Sequence, residues 1–404
     1  MKLKVSLRIV SVQLNSQIGQ IDETLRRTTV LIDRLKQEVE GQKPPDLVVF
    51  PEFALTGYNF RNRSHILPYV CKAGEGPSFE LAKRVSKLFG CYTVIGYPEK
   101  CEQKLYNSAI VTGPDGSVHF NYRKAFLYET DEQWGCEENP KGFEQFKMKF
   151  RARPIDQDSA ELSPVDIDLN TSIGICMDLS PYRFEAPFQD MEFSSFNLEK
   201  GTELIICPMA WLHSRSITEH TDSEKITPKD IECLLSEQGL SIFGSQGQYQ
   251  FDFDNRATTK PVSQDITDIN RDHPVYSNLN EPDMSNINYW LLRFLPFLSL
   301  DVRRNWFQSF ADQLLPLKNS YMGMTPKHPW GFAGKNAALV IANRCGVEDC
   351  KTIFAGSSGI FKFNGSEDKD NNTDSTNQSV KLFGNLGKGY EGLLMRDIDL
   401  MIDR

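Results

Sequence analysis

The spacing of hydrophobic and polar residues along this chain changes period several times. From Val5 to Leu14 they largely alternate, the two-residue period of a strand. Between about Asp22 and Val39, Leu25, Val30, Leu31 and Leu35 fall near helical spacing. Pro44-Pro45-Asp46 breaks the chain, and Leu47-Val-Val-Phe50 then reads as a buried strand that Pro51 stops. The pattern goes on to predict a helix over Phe79–Leu88, a strand over Tyr92–Gly96, and a hairpin of Asn107–Val111 and Val118–Tyr122 about the turn Gly113-Pro-Asp-Gly116. Further strands are expected at Thr171–Ile175, Glu203–Cys207, Ala337–Ala342, Thr352–Ala355 and Leu393–Ile398. Alternating strands and helices argue for an α/β fold, and the hairpin makes its sheets mixed.

Three strand ends carry chemistry. Glu52 follows the Pro51 stop, Lys124 follows the second hairpin strand, and Cys176 follows Gly174-Ile175. Each has an ordinary reading: a surface carboxylate, a solvated lysine, a core cysteine. Together they form the set that amide or nitrile hydrolysis through a thioester needs. Cys176 would be the nucleophile and Glu52 its general base. Lys124 and the backbone N–H of Met177 would hold the oxyanion. Ser180-Pro181 suggests the first turn of a helix, whose N-terminus would favour the Cys176 thiolate.

Composition adds limits. A net charge of −9 without a long Lys/Arg run argues against nucleic acid as a partner. No stretch reaches the apolar length of a membrane span. Nine cysteines without a C-x-x-C pair fit a reducing compartment. With no secretory h-region or Arg-rich presequence, the expected location is cytoplasmic, with nucleus and mitochondrion left open. Scattered histidines and the absence of a phosphate loop leave no cofactor and no metal supported.

The acidic stretch 129–139, with its single Trp134, is either an exposed loop or a pocket wall. Trp211 reads as a packing residue, with substrate contact as the alternative. Residues 258–283 are polar and read as an exposed insertion. The aromatic run 287–317 reads as a helical pair packed on the main body, with a partner- or membrane-facing patch as the alternative. Residues 365–379 read as a polar hairpin tip.

Val48-Val-Phe-Pro-Glu-Phe-Ala-Leu-Thr-Gly-Tyr58, Tyr122-Arg-Lys-Ala-Phe-Leu127 and Gly174-Ile-Cys-Met-Asp178 resemble the three signature blocks of the nitrilase, or carbon–nitrogen hydrolase, superfamily. Asn343–Glu348 and Phe354–Ile360 resemble its later blocks. The likeness covers 5–212 and 330–400. It implies one αββα sandwich over residues 1–404, with 213–329 as a mostly helical or loop insertion, and a Glu–Lys–Cys triad at Glu52, Lys124 and Cys176. Within that superfamily, Gly174–Tyr182, Cys207–Trp211, Glu281–Ser285 and Gly384–Lys388 are similar to the fungal protein N-terminal amidases. That resemblance implies deamidation of N-terminal Asn and Gln on polypeptides, with Asp or Glu products passing to the Arg branch of the N-degron pathway. The chain departs from the wider pattern where Leu-Ser-Pro-Tyr intervenes before Arg183-Phe184.

A substrate with a free α-ammonium calls for a carboxylate near the thiol. Asp131, Glu132 and Asp178 are candidates. Asp131 is preferred, with Trp134 as an apolar wall, and Asp178 reads as a supporting residue. The superfamily's second Glu beyond the lysine also falls on Asp131 or Glu132. Two other readings use the same residues: an amidase of small ω-amides, and a non-catalytic protein that binds through the aromatic insertion.

Overall fold

The computed structural model describes residues 1–155, 163–214, 216, 227–237, 249–254, 279–298, 330–365 and 379–404. Its strands form two layers. In the first, β1 (Lys2–Gln13) pairs along its whole length with β15 (Glu391–Asp403), antiparallel. Its other edge carries β2 (Leu47–Val49), parallel, and the layer continues through β3 (Tyr92–Cys101), β4 (Lys104–Thr112) and β5 (Val118–Arg123). β9 (Tyr249–Asp252) extends it beyond β15.

The second layer runs β6 (Gln145–Pro154), β7 (Val165–Ile173), β8 (Leu204–Met209), β10 (Asn336–Asn343), β13 (Gly359–Asn364) and β14 (Val380–Asn385). Hydrogen bonds between Leu3–Val5 and Ala152–Pro154 link the layers into one thirteen-stranded sheet. A small ribbon, β11 (Val347–Glu348) with β12 (Thr352–Ile353), stands apart.

Period-two patterning explains the layering. Leu3, Val5, Leu7 and Ile9 of β1 join the second layer's Leu204–Cys207 and Ala337–Ala342 in one core. Val10 and Val12 point the other way, to Leu31, Ile32 and Leu35 of α1 (Ile21–Glu38). Leu81, Ala82 and Val85 of the helix Gly76–Phe89 belong to the same core. On the outer side of the second layer lie the helices Glu192–Glu199 and Met284–Leu292, whose Phe193, Ile287, Trp290 and Leu291 join the first core. The arrangement is the expected αββα sandwich.

The aromatic run therefore packs on the main body as far as it is described, to Leu298. Its continuation, most of 258–283 and most of 365–379 lie outside the described residues. β6 is an element not anticipated above, although Phe146, Met148, Phe150 and Ala152 alternate with charged residues along it. No helix among the described residues is long and apolar enough to cross a membrane.

Strand direction decides where a site can form. β1, β2 and β3 are parallel, and β5 runs the same way after two antiparallel turns. β7, β8 and β10 are mutually parallel, and the bridge from Leu14 to Arg344 aligns the ends of β1 and β10. The carboxyl ends of both layers thus share one edge, where open α/β sheets build sites.

Gly174, at that edge, faces the Phe193 ring so closely that a Cβ would lie 2.5 Å from Cζ. Gly174→Ala should therefore cost about 1–3 kcal/mol by overpacking, read from urea unfolding, with Phe193→Leu in the same chain restoring most of it.

Candidate active site

Glu52 lies just past β2. Gly96 holds the segment close: its N–H donates to Pro51 O at 3.1 Å, and a Cβ there would sit 2.5 Å from Glu52 Cα. Lys124 directly follows β5, with its N–H donating to Asn107 O at 2.8 Å. Cys176 opens a single 3-10 turn, Cys176–Leu179, and has a left-handed backbone (φ 45°). The helix expected at Ser180-Pro181 is instead a three-residue turn, Tyr182–Phe184, because Arg183 and Phe184 are both left-handed (φ 54° and 55°). Neither described turn after Cys176 is an α-helix.

The side chains converge on Lys124. Its Nζ donates to Glu52 Oε1 at 2.9 Å and to Asp131 Oδ2 at 2.7 Å, and all three side chains are fully buried. Asn107 Nδ2 lies between the same two carboxylates, donating to Glu52 Oε1 (2.6 Å) and Asp131 Oδ1 (2.8 Å). The opposite amide orientation would set an oxygen against two anions. Glu52 Oε2 accepts from the Ala210 N–H at 2.7 Å, just beyond β8. Cys176, 8% exposed, is the one member of the group that the surface reaches.

Burial pulls Lys124 toward neutrality, but Asp131 and Glu52 outweigh it and hold the ammonium well above the usual lysine range. Glu52 is raised by burial and by Asp131, against the pull of Lys124. Cys176 is raised well above 9.0, first by burial and then by Glu52. The resting group is a thiol rather than the thiolate expected above, and it needs the adjacent base.

Asp178 is buried and accepts four hydrogen bonds, from Ile175 N (2.8 Å), Tyr122 Oη (2.9 Å), Ala125 N (3.0 Å) and Phe126 N (2.8 Å). One carboxylate thereby ties the Cys176 turn to the residues after Lys124. Burial pushes it up to about 7, while its backbone donors favour the charged form.

Cys176 forms part of a cavity of about 160 Å³ lined by Tyr58, Tyr128, Met177, Ser180, Phe184, Ala210, Trp211 and Leu212. Tyr58, Tyr128 and Leu212 also wall a wider groove of about 750 Å³, flanked by Arg61, Glu129, Asp349 and Lys351. A hollow at the opposite end of β8 holds the Glu203–Arg404 ion pair and, in its described lining, no cysteine. Among the described residues, no cluster of His, Cys, Asp and Glu is arranged to hold a metal ion.

Residues 8–175 match the model of the carbon-nitrogen hydrolase family. The protein N-terminal amidase of Saccharomyces cerevisiae is 48% identical over 454 aligned positions, covering 100% of this chain and 97% of its own. The chain is a carbon–nitrogen hydrolase of the protein N-terminal amidase family. A crystal structure of an N-terminal amidase with a Gln-Val peptide superposes with a TM-score of 0.84 at 47% identity, covering 100% of both chains. Another, with an Asn-Glu-Ala peptide, gives 0.85 at 47% identity and the same coverage.

In this hydrolase, two expected substrate contacts lie elsewhere. Asp131 is fully buried with both oxygens engaged: Oδ2 also accepts the Tyr128 N–H at 2.9 Å, capping the short helix Glu129–Gln133. It holds Lys124 and is not among the residues that line the cavity. Trp134 is also fully buried, among Phe53, Tyr58 and Phe60, away from the cavity lining. Glu132 is exposed and faces Arg183 at 3.6 Å. Trp211 packs on Trp290, as expected, but it also lines the cavity.

Sequence reasoning missed Asn107 and the Ala210 N–H. Asn107 had a signal, since an amide inside an apolar strand needs a buried partner. The Ala210 N–H had none. Asn107→Leu should lower kcat about 10–100-fold, because the base and the lysine's second partner lose a shared donor. Urea unfolding should show a loss of about 1–3 kcal/mol in the same variant.

Proposed function

We propose that this enzyme hydrolyses the side-chain amide of Asn or Gln at the N-terminus of polypeptides, giving Asp or Glu and ammonia. Supporting the reading is full-length likeness to the S. cerevisiae amidase and to structures holding Asn- and Gln-starting peptides. The geometry supplies a chemistry to match. Cys176 gives its proton to Glu52, and the sulfur attacks the amide carbon. The new oxyanion meets the third N–H of the Lys124 ammonium, whose other two hold carboxylates. It also meets the Met177 N–H, which has no carbonyl behind it within the 3-10 turn.

Glu52 returns the proton to the leaving nitrogen, which departs as ammonia and leaves a thioester. Glu52 then takes a proton from water, hydroxide adds to the thioester carbon, and the thiol is regenerated with a side-chain carboxylate on the product. Asp131, Asn107 and Asp178 are positioning residues: they hold Lys124, Glu52 and the two strand ends. The acidic N-terminus is the form to be arginylated, so the reaction feeds the Arg branch of the N-degron pathway.

The test is ammonia release from Asn-, Gln- and acetyl-Asn-starting peptides and from free asparagine. The expected result is turnover of the first two, none of the acetylated peptide, and none by Cys176→Ser. Faster turnover of free asparagine than of peptides would contradict the reading.

The pH profile follows from the base. Glu52 must be ionised to accept the thiol proton, and its folded pKa lies above the ordinary 4.5. The acid limb of kcat/KM should therefore have its midpoint above 4.5 and lose rate as pH falls through it.

A further inference from the structure

The proposed substrate brings a cation into a cavity whose described lining contains no carboxylate. The α-nitrogen is three bonds from the attacked carbon in Asn and four in Gln. Whatever holds it must line the same space as Cys176. Four aromatic side chains do: Tyr58, Tyr128, Phe184 and Trp211. Resting on the function proposed above, we infer that this aromatic collar, with Trp211 as its main member, binds the substrate α-ammonium through cation–π contacts.

Trp211 is prepared for that task. Its indole N–H donates to Asn286 Oδ1 at 3.1 Å, so its polar edge is committed away from the substrate. Tyr289 and Trp290 brace it, with ring centroids at 5.5 and 5.9 Å. With its N–H committed, the indole's remaining surface is its ring, and indole is the strongest of the aromatic cation acceptors.

Phe184 is held at the same cavity at a cost. It and Arg183 are successive left-handed residues, a conformation bulky side chains seldom adopt. The turn leaves Phe184 57% exposed, edge-on to Tyr128 at 6.3 Å. Strain beside a nucleophile that presents an apolar ring to solvent fits a ring that substrate covers.

Charge points the same way. Two carboxylates, Glu52 and Asp131, face the single Lys124 ammonium in a cluster whose charge acts on Cys176 in the cavity wall. A cation in the cavity is favoured, and burial weakens screening. The carboxylates Glu129 and Asp349 stand in the wider groove, where they would meet later residues of the peptide.

The experiment compares an Asn-starting peptide with its des-amino analogue, the same peptide carrying a 3-carbamoylpropanoyl group in place of Asn. Parent, Trp211→Phe, Trp211→Leu, Glu129→Gln and Asp349→Asn are assayed for ammonia. The expected result is that the parent's preference for the Asn peptide, as a ratio of kcat/KM, falls about tenfold or more in Trp211→Leu. Most of that fall should lie in KM, with Trp211→Phe between the two.

Parent KM for the Asn peptide should also rise as pH passes about 7.7–8.0, where the α-amino group loses its charge. An unchanged preference ratio in Trp211→Leu would overturn the inference and reduce Trp211 to packing. So would a fall in that ratio with Glu129→Gln or Asp349→Asn larger than with Trp211→Leu. A parent that releases no ammonia from the Asn peptide but does so from small ω-amides would instead overturn the function on which the inference rests.

Discussion

A lysine ammonium with no solvent contact is tenable only if its surroundings return what hydration would have given. At Lys124 they do so with two carboxylates, Glu52 at 2.9 Å and Asp131 at 2.7 Å. Breaking such an arrangement by removing one partner leaves an uncompensated buried charge. The same contacts orient the groups that the proposed reaction uses. Glu52 is fixed by three donors, from Lys124, Asn107 and Ala210, and its charge acts on the Cys176 thiol. Asp131 and Glu52 take two of the Lys124 N–H groups, which leaves the third for the oxyanion in the proposed mechanism.

The fold's contribution is direction. Glu52 and Lys124 follow strands of one layer, Cys176 and Ala210 strands of the other, and both layers point to the same edge. Asp178 closes the seam: its carboxylate accepts from backbone on the Cys176 side and on the Lys124 side. Much of the site is therefore backbone held by buried acids. In the proposed mechanism no histidine is needed, because burial raises Glu52 toward a stronger base, and the raised Cys176 thiol requires one.

Much of this was legible in the residues. Alternation marked β1, the hairpin of β4 and β5 was announced by its turn, and each triad member ends a strand. The αββα layering came from resemblance rather than periodicity. What stayed hidden depends on which way a side chain turns. Asp131 lies seven residues from Lys124 and could have faced solvent, substrate or the lysine; the turn at Tyr128 decides for the lysine. Trp134 looked like a pocket wall because composition cannot separate a lined cavity from a filled one. The helix expected after Cys176 failed because Arg183 and Phe184 are left-handed, a conformation no propensity predicts for them. Asn107 was readable in principle as a buried amide in need of partners, but not which two.

The most direct test of the central interaction is urea unfolding of Lys124→Met beside the triple variant Lys124→Met, Glu52→Gln, Asp131→Asn. If one buried cation balances two buried carboxylates, the single variant loses about 3–5 kcal/mol, and the triple variant regains most of it while staying inactive. The single variant's deficit should deepen between about pH 5 and about pH 8, because unpaired buried carboxylates titrate upward and their ionisation then favours the unfolded chain. A Lys124→Met protein within about 0.5 kcal/mol of the parent at both pH values would contradict the account.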